Sequence, residues 1–260
     1  TDVINIDLST NWQGTLSFTN LGTDLVRNFE GVIGGRAVDT IVGSDGDDII
    51  GGGLGADVLS GGLGNDTLTF ATDPGAAQVD LTTDTANDGY GSNDVISGFE
   101  NVSGSNYNDT LKGDAASNVL RGEGGNDTIT ATAGNDTYFG GSGVDTVDFA
   151  SSTAGIIIDM VAGTATDGTN SYSLSGFEVF KGSLTADDTF KLTTDMAQLT
   201  VEGGAGTDSL SYTSATGNMS VSFNFGSSTT SSFTTPDSIN HYYNSVEKVF
   251  TGLGSDNLSV

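Results

Sequence analysis

The sequence predicts an all-β solenoid, on three observations. These are a nine-residue repeat, an apolar residue at one fixed position of every repeat, and a surplus of glycine and aspartate. The stretch GGGLGADVLSGGLGNDTLTF (Gly51 to Phe70) shows the repeat most clearly. Glycine at this density excludes a helix interior, where it gives up too much backbone freedom. Cut every nine residues from Gly34, the chain reads GGRAVDTIV, GSDGDDIIG, GGLGADVLS and GGLGNDTLT. Restarted at Gly104, it reads GSNYNDTLK, GDAASNVLR, GEGGNDTIT, ATAGNDTYF and GGSGVDTVD. Position 6 is Asp in eight of the nine blocks, Asn118 being the exception, and position 4 is Gly in six. Position 8 is apolar throughout: Ile41, Ile50, Leu59, Leu68, Leu111, Leu120, Ile129, Tyr138 and Val147.

Six residues of glycine-rich turn allow positive φ and close approach of backbones. The following three residues, x-apolar-x, make a short strand whose middle side chain points inward. Two units form an 18-residue coil, and stacked coils build two parallel sheets with an apolar ladder between them. A single coil cannot bury its own face, so neighbours are obligatory. Stacking brings position-6 residues together as Asp39 on Asp57, Asp48 on Asp66, Asp109 on Asp127 on Asp145, and Asn118 on Asp136. Carboxylates at sheet spacing repel one another unless a cation lies between them. Oxygen ligands in flexible, high coordination favour calcium, whereas magnesium demands a tighter octahedron. Glycine-aspartate turns in a calcium-free solenoid are the alternative.

Composition agrees. The 260 residues carry 34 acids against 7 Lys and Arg, for a net charge of -27, and 28 of the acids are Asp. Glycine, at 39 residues, is about twice its usual ~7% share. Such a charge disfavours nucleic acid and anionic membranes as partners and favours cations. With no cysteine, disulfides, thiol nucleophiles and zinc-thiolate sites are excluded. No apolar run approaches the ~20 residues of a membrane span. The chain begins without Met or a signal-peptide core and ends on GLGSDNLSV, so it reads as a segment of a longer protein.

The run GGLGADVLSGGLGNDTLTF resembles the glycine-aspartate nonapeptide of the RTX (repeat-in-toxin), hemolysin-type calcium-binding family. The resemblance covers 34–69 and 104–148. It implies a right-handed parallel β-roll binding several calcium ions. Position-2 and position-4 carbonyls and the Asp of one turn would face position-1 and position-3 carbonyls and the Asp of the next. Carried over, the Asp39/Asp57 site uses carbonyls of Gly35, Ala37, Gly52 and Leu54, and the Asp48/Asp66 site those of Ser44, Gly46, Gly61 and Leu63. The Asp109/Asp127 site uses Ser105, Tyr107, Gly122 and Gly124, and the Asp127/Asp145 site uses Glu123, Gly125, Gly140 and Ser142. The sequence departs from the pattern at Asn118, which shares its site with Asp136, at Ala131, and at Tyr107 and Ala116, where glycine is usual.

A longer repeat encloses the short one. FEGVIGG, FENVSGS, FEVFKGS and VEKVFTG place Glu30, Glu100, Glu178 and Glu247 at intervals of 70, 78 and 69 residues. Each leads into a nonapeptide-like run. The expected organisation is N-terminal β-coils (1–33), a calcium-binding run (34–69), a wider β-coil insert (70–103), a second calcium-binding run (104–148) and a second insert (149–181). Degenerate repeats (182–211), an aromatic insert (212–250) and a truncated repeat (251–260) follow, in one continuous solenoid. Separate β-sandwich modules on calcium linkers are the rival architecture. Asp187 or Asp188, Asp208 and Asp256 are further candidate ligands, none with a partner 18 residues away.

No enzyme is expected. His241 is the only histidine, which excludes HExxH and histidine-rich zinc sites. The glycine-rich runs lack the P-loop lysine, and the paired carboxylates are explained by metal ligation. The expected function is a calcium-folded structural scaffold or spacer, secreted or at the cell surface, and the resemblance implies type I secretion. The alternatives are a calcium-dependent adhesion module, binding polysaccharide or self-assembling into a surface layer, and a calcium-dependent polysaccharide-modifying module.

Overall fold

In a computed structural model, residues 31–192 and 198–212 and Val246 are described in full, and the strands outside these ranges as backbone paths. Each nonapeptide folds as its pattern dictates. Positions 7–9 form three-residue strands, among them Thr40–Val42, Val58–Ser60, Thr110–Lys112, Thr128–Thr130 and Thr146–Asp148. Successive units alternate between two sheets, one of 17 strands and one of 12, so strands 18 residues apart pair in parallel. Ile41 lies opposite Leu59, Leu111 opposite Ile129, and Leu120 opposite Tyr138. All nine position-8 side chains are at most 1% exposed and form the ladder between the sheets. The tight turns require glycine where coils touch. Gly62 holds φ +111, and a side chain there would run into the Ser44 carbonyl of the preceding coil.

The expected wider coils take a different form: each is a three-stranded antiparallel meander set in line with one sheet. The first comprises Gln78–Asp80, Thr85–Asn87 and Asn93–Ser97. Its last strand pairs in parallel with Val58–Ser60 behind it and its first with Thr110–Lys112 ahead. The second comprises Ile157–Asp159, Thr164–Thr166 and Ser171–Ser175 and joins Thr137–Phe139 to Thr189–Leu192 in the same way, in the smaller sheet. A third, of Ser220–Ser222, Ser231–Thr234 and Asn240–Asn244, returns to the larger sheet. Ile4–Thr10, Gln13–Phe18 and Gly22–Arg27 repeat the pattern before the first nonapeptides.

The physical reason lies in the connections. Short turns with left-handed residues, Asp84 at φ 55 and Gly91 at φ 88, reverse the chain locally. A parallel pairing would need a long crossover. The number of intervening strands decides which sheet receives a meander. Six strands, from Asn101–Ser103 to Thr146–Asp148, separate the first from the second. Being even, that number delivers the second to the opposite sheet.

Aromatic side chains fill the widened second meander. Tyr138 and Tyr172 stack at 6.1 Å, and Phe149 meets Tyr172 edge-on at 5.1 Å. On the outer faces, scarce cations sit across from acids on neighbouring strands: Lys112 on Asp80 at 2.9 Å, Lys181 on Glu202 and Lys191 on Asp159. Arg121 covers the Phe139 ring at 4.1 Å.

Candidate metal centres

The turn that feeds each strand carries its position-6 side chain inward. Asp39, Asp48, Asp57, Asp66, Asp109, Asn118, Asp127, Asp136 and Asp145 are all at most 3% exposed. The structure brings together every pair that the spacing predicts, with one hydrogen-bond pattern. The amide of each residue donates to Oδ1 of its partner in the next coil: Asp39 to Asp57 (2.7 Å), Asp48 to Asp66 (2.8 Å), Asp109 to Asp127 (2.7 Å), Asp127 to Asp145 (2.8 Å) and Asn118 to Asp136 (2.9 Å). At several turns Oδ2 is held from within. Gly35, Ser44 and Ser105 amides donate to Asp39, Asp48 and Asp109, each at 2.6 Å. At Asp57, Asp66, Asp127 and Asp145, by contrast, no donor among the described residues reaches Oδ2, although the atom is buried. A buried carboxylate oxygen without a partner is costly.

The backbone supplies further oxygens beside these atoms. A side-chain carbon added to Gly34, Gly43, Gly104 or Gly122 would be caught between two oxygens. One is Oδ2 of the same turn's Asp39, Asp48, Asp109 or Asp127, and the other the position-1 carbonyl of Gly52, Gly61, Gly122 or Gly140. A side-chain carbon added to the position-4 glycine of the next coil would meet the position-4 carbonyls of Ala37, Gly46, Tyr107 and Gly125. Position-2 carbonyls of Gly35, Ser44, Ser105 and Glu123 each accept an amide from the next coil, at 2.9 to 3.3 Å, which leaves a second lone pair. Of the position-3 residues, Ser142 accepts the Gly125 amide through its carbonyl. Leu54 is half-buried, Leu63 exposed and Gly124 buried. Among the described residues, no three Asp, Glu or His side chains converge on one point. Carboxylate pairs completed by backbone carbonyls, all hard oxygen, fit calcium.

The acidic ladder runs further than the nine-residue register shows. The Asp57 amide donates to Asp94 Oδ1, and those of Asp66 and Asp145 to Oε2 of Glu100 and Glu178, each at 2.8 Å. Glu100 and Glu178 are therefore the position-6 residues of the coils that leave the first and second meanders, and Glu30 and Glu247 lie outside the described residues. There the turn is cut to Gly98-Phe99-Glu100 or Gly176-Phe177-Glu178, and the longer side chain spans the difference. Asp188 pairs with Asp208 (2.8 Å) although 20 residues separate them. The expected interval of 18 missed this pair because two extra residues lie between the strands Thr189–Leu192 and Thr200–Glu202. Asp188 is the inward residue and Asp187 is exposed. Asp256 lies outside the described residues. A second ladder, unremarked in the sequence, runs through position 5, where the side chains of Asp47, Asn108 and Asn126 accept amides one coil on.

One predicted site satisfies itself. Asp136 Oδ2 accepts the buried Tyr138 hydroxyl at 2.7 Å. Asn118 Nδ2 donates to the Glu100 carbonyl and to Asp114 Oδ1, at 3.0 and 3.2 Å. Here hydroxyl and amide donors do what a cation would do elsewhere. Removing the hydroxyl with Tyr138→Phe strands a buried carboxylate oxygen. Thermal melts of the calcium-loaded chain should show a loss of about 1–3 kcal/mol. An unchanged melting temperature would mean that the bond contributes nothing.

Burial sets the electrostatics. Desolvation first, with neighbouring carboxylates adding to it, pushes Asp57 and Asp66 up to about 6 and Asp127 up to about 7. Backbone hydrogen bonds oppose the shift without cancelling it. Desolvation likewise raises Asp188 to about 6. These are acids made reluctant to ionise by their surroundings and by one another, and a bound cation removes both causes.

Known proteins share the repeat. The RTX calcium-binding nonapeptide repeat family matches in four copies, at 33–68, 96–129, 103–138 and 113–147. Among solved structures, the extracellular lipase LipA from Serratia marcescens is similar at 17% identity with a TM-score of 0.24. The match covers 85% of this chain, which spans 38% of that one. No curated protein matches the chain.

Proposed function

We propose, from the premise that residues 33–68 and 96–147 match RTX calcium-binding nonapeptide repeats, that this segment is a calcium-loaded β-solenoid that folds on binding the ion. It serves a secreted protein as a rigid scaffold or spacer. The observation that carries this reading is the row of buried carboxylates whose Oδ2 atoms have no donor among the described residues: Asp57, Asp66, Asp127 and Asp145. A chain at -27 that must bury such a row is poorly compensated without cations. Asp39, Asp48, Asp109 and their partners would hold calcium together with the turn carbonyls. The ion would supply the positive charge the segment lacks, so its binding free energy becomes folding free energy. Calcium outside cells matches the ~10⁻⁴–10⁻³ M affinity of extracellular modules, which supports a role outside the cell. The reading assigns no reaction to the segment. Lys112, Lys181 and Lys191 stand in cross-strand pairs on the outer faces, remote in role from any acid-base site.

Far-UV circular dichroism of chelator-treated chain tests the proposal. Calcium should produce a cooperative rise in β-structure, and magnesium at equal concentration should not. Complete β-structure before calcium, with an unchanged melting temperature after it, would sink the folding role.

A further inference from the structure

The first meander contains acids that neither the nonapeptide register nor the family match reaches, since residues 69–95 lie between the matched copies. Asp88 opens the loop before the strand Asn93–Ser97, and Asp94 lies on that strand. Both are 2% exposed. Asp88 Oδ1 accepts the amides of Tyr90 (3.0 Å) and Ser92 (2.7 Å), and Asp94 Oδ1 accepts that of Asp57 (2.8 Å). For Oδ2 of both residues, no donor among the described residues is within reach. Beside Asp94 stands Asp57, which donates its amide to it, is 1% exposed and has its own unpartnered Oδ2, and beside Asp88 stands Asp73, 7% exposed, whose Oδ2 accepts the Gly89 amide at 3.2 Å. No cation of the chain pairs with Asp88 or Asp94 among the described ion pairs.

The second meander is an internal control. The pairing of Thr166 with Ser171 corresponds to that of Asn87 with Asn93. Asp167 therefore stands where Asp88 does, and Tyr172 where Asp94 does. There every demand is met by protein donors. Asp167 Oδ1 accepts the amides of Thr169 and Asn170, and its Oδ2 accepts Asn170 Nδ2 at 2.8 Å and the Tyr172 hydroxyl at 3.4 Å. One fold unit thus exists in two chemical versions. One holds an acid with amide and hydroxyl donors, and the other has two buried acids, the charge of Asp88 bearing on Asp94, with no donor among the described residues for either outer oxygen.

The geometry points to a further divalent-cation site of calcium type in the first meander, with Asp88 and Asp94 as its side-chain ligands. Asp57 and Asp73 add negative charge around it. Two carboxylates completed by backbone carbonyls or water suit calcium's oxygen coordination. A cation there removes the cost of two unpartnered buried anions. It also ties the meander to the preceding nonapeptide turn, because Asp94 already holds the Asp57 amide. The inference rests on the chain being a calcium binder.

The test counts ions. The calcium-loaded chain and its Asp88→Asn, Asp94→Asn and Asp167→Asn variants are compared by equilibrium dialysis with calcium alone. Asp88→Asn and Asp94→Asn should each bind one ion fewer than the parent, and Asp167→Asn should bind as many. Parent-like counts in the first two variants overturn the site while leaving the nonapeptide reading intact. A parent that binds no calcium overturns that reading first. An anomalous difference map of the parent crystallised in calcium decides the matter even if the variants fail to fold. A peak within about 2.3–2.6 Å of both Oδ2 atoms supports the site, and a map without one overturns it.

Discussion

Replacing Asp127 with alanine is expected to weaken the calcium-loaded chain severely while leaving its metal-free stability nearly unchanged. Asp127 is the middle of a three-residue stack. Its Oδ1 accepts the Asp109 amide at 2.7 Å, and its own amide donates to Asp145 Oδ1 at 2.8 Å. It therefore belongs to two proposed calcium sites at once. In the metal-free chain its ionised form is opposed by burial and by the charges of Asp109, Asp145 and Glu123. Deleting it relieves that repulsion and offsets the lost acceptor for the Asp109 amide, itself worth about 1–3 kcal/mol. With calcium present there is no offset, because both shared sites lose a ligand. The calcium midpoint should rise roughly tenfold or more. Asp127→Asn separates the two effects. It keeps a neutral acceptor for Asp109 and removes the charge, so metal-free melting should move upward while the response to calcium is still lost. Equal shifts of the metal-free and calcium-loaded melting temperatures in Asp127→Ala would show that the residue acts through packing alone.

Acid should imitate calcium in the metal-free chain. Burial, reinforced by neighbouring carboxylates, lifts Asp57, Asp66 and Asp73 to about 6 and Asp94 and Asp127 to about 7, from 3.8. The folded chain therefore holds more protons than the unfolded chain between about pH 4 and 7. Stability falls as pH rises wherever the folded state binds more protons. The contribution of these groups is complete below their unfolded value and lost as pH climbs through 6 to 7. Asp80 and Asp167 pull the other way. Despite partial burial, Asp80 is held below its ordinary value by Thr82 and Lys112, and Asp167 by Asn170, Thr169 and Tyr172. They are outnumbered by the raised acids. In calcium the dependence should reverse, because the ion needs ionised carboxylates and competes with protons for them. Urea denaturation at pH 4.5 and 7.5, in calcium-free buffer and in saturating calcium, reads both slopes. Higher metal-free stability at pH 7.5 than at pH 4.5 would contradict the electrostatic account of the ladder.

The sequence by itself determined the repeating part of this protein. A nine-residue unit that places glycine in the turn, Asp at position 6 and an aliphatic at position 8 has few ways to fold. Turn chemistry and side-chain alternation act within a few residues. That is why Ile41, Leu59, Leu111 and Ile129 could be assigned to the core, and the stacked aspartates to one another, from spacing alone. The recurrence of Phe-Glu was equally visible, although the role of the glutamate was not. Glu100 reaches the ladder only because the turn before it is shortened, and its partner Asp66 is 34 residues away.

Tertiary structure decided what spacing does not carry. The meanders reverse the chain and return it to the stack, so partners are set by where a strand docks and no longer by a fixed interval. Asp57 meets Asp94 across 37 residues and Asp188 meets Asp208 across 20. Structure also separated acids that look alike in the sequence. Asp136 and Asp167 have their second oxygens satisfied by hydroxyl and amide donors folded back from two to five residues away, whereas Asp88, Asp94 and Asp127 keep a buried oxygen that no donor among the described residues reaches. Whether an aspartate turn needs a cation depends on which donors the fold turns toward its second oxygen, and at Asp136 and Asp167 these lie two to five residues along the chain.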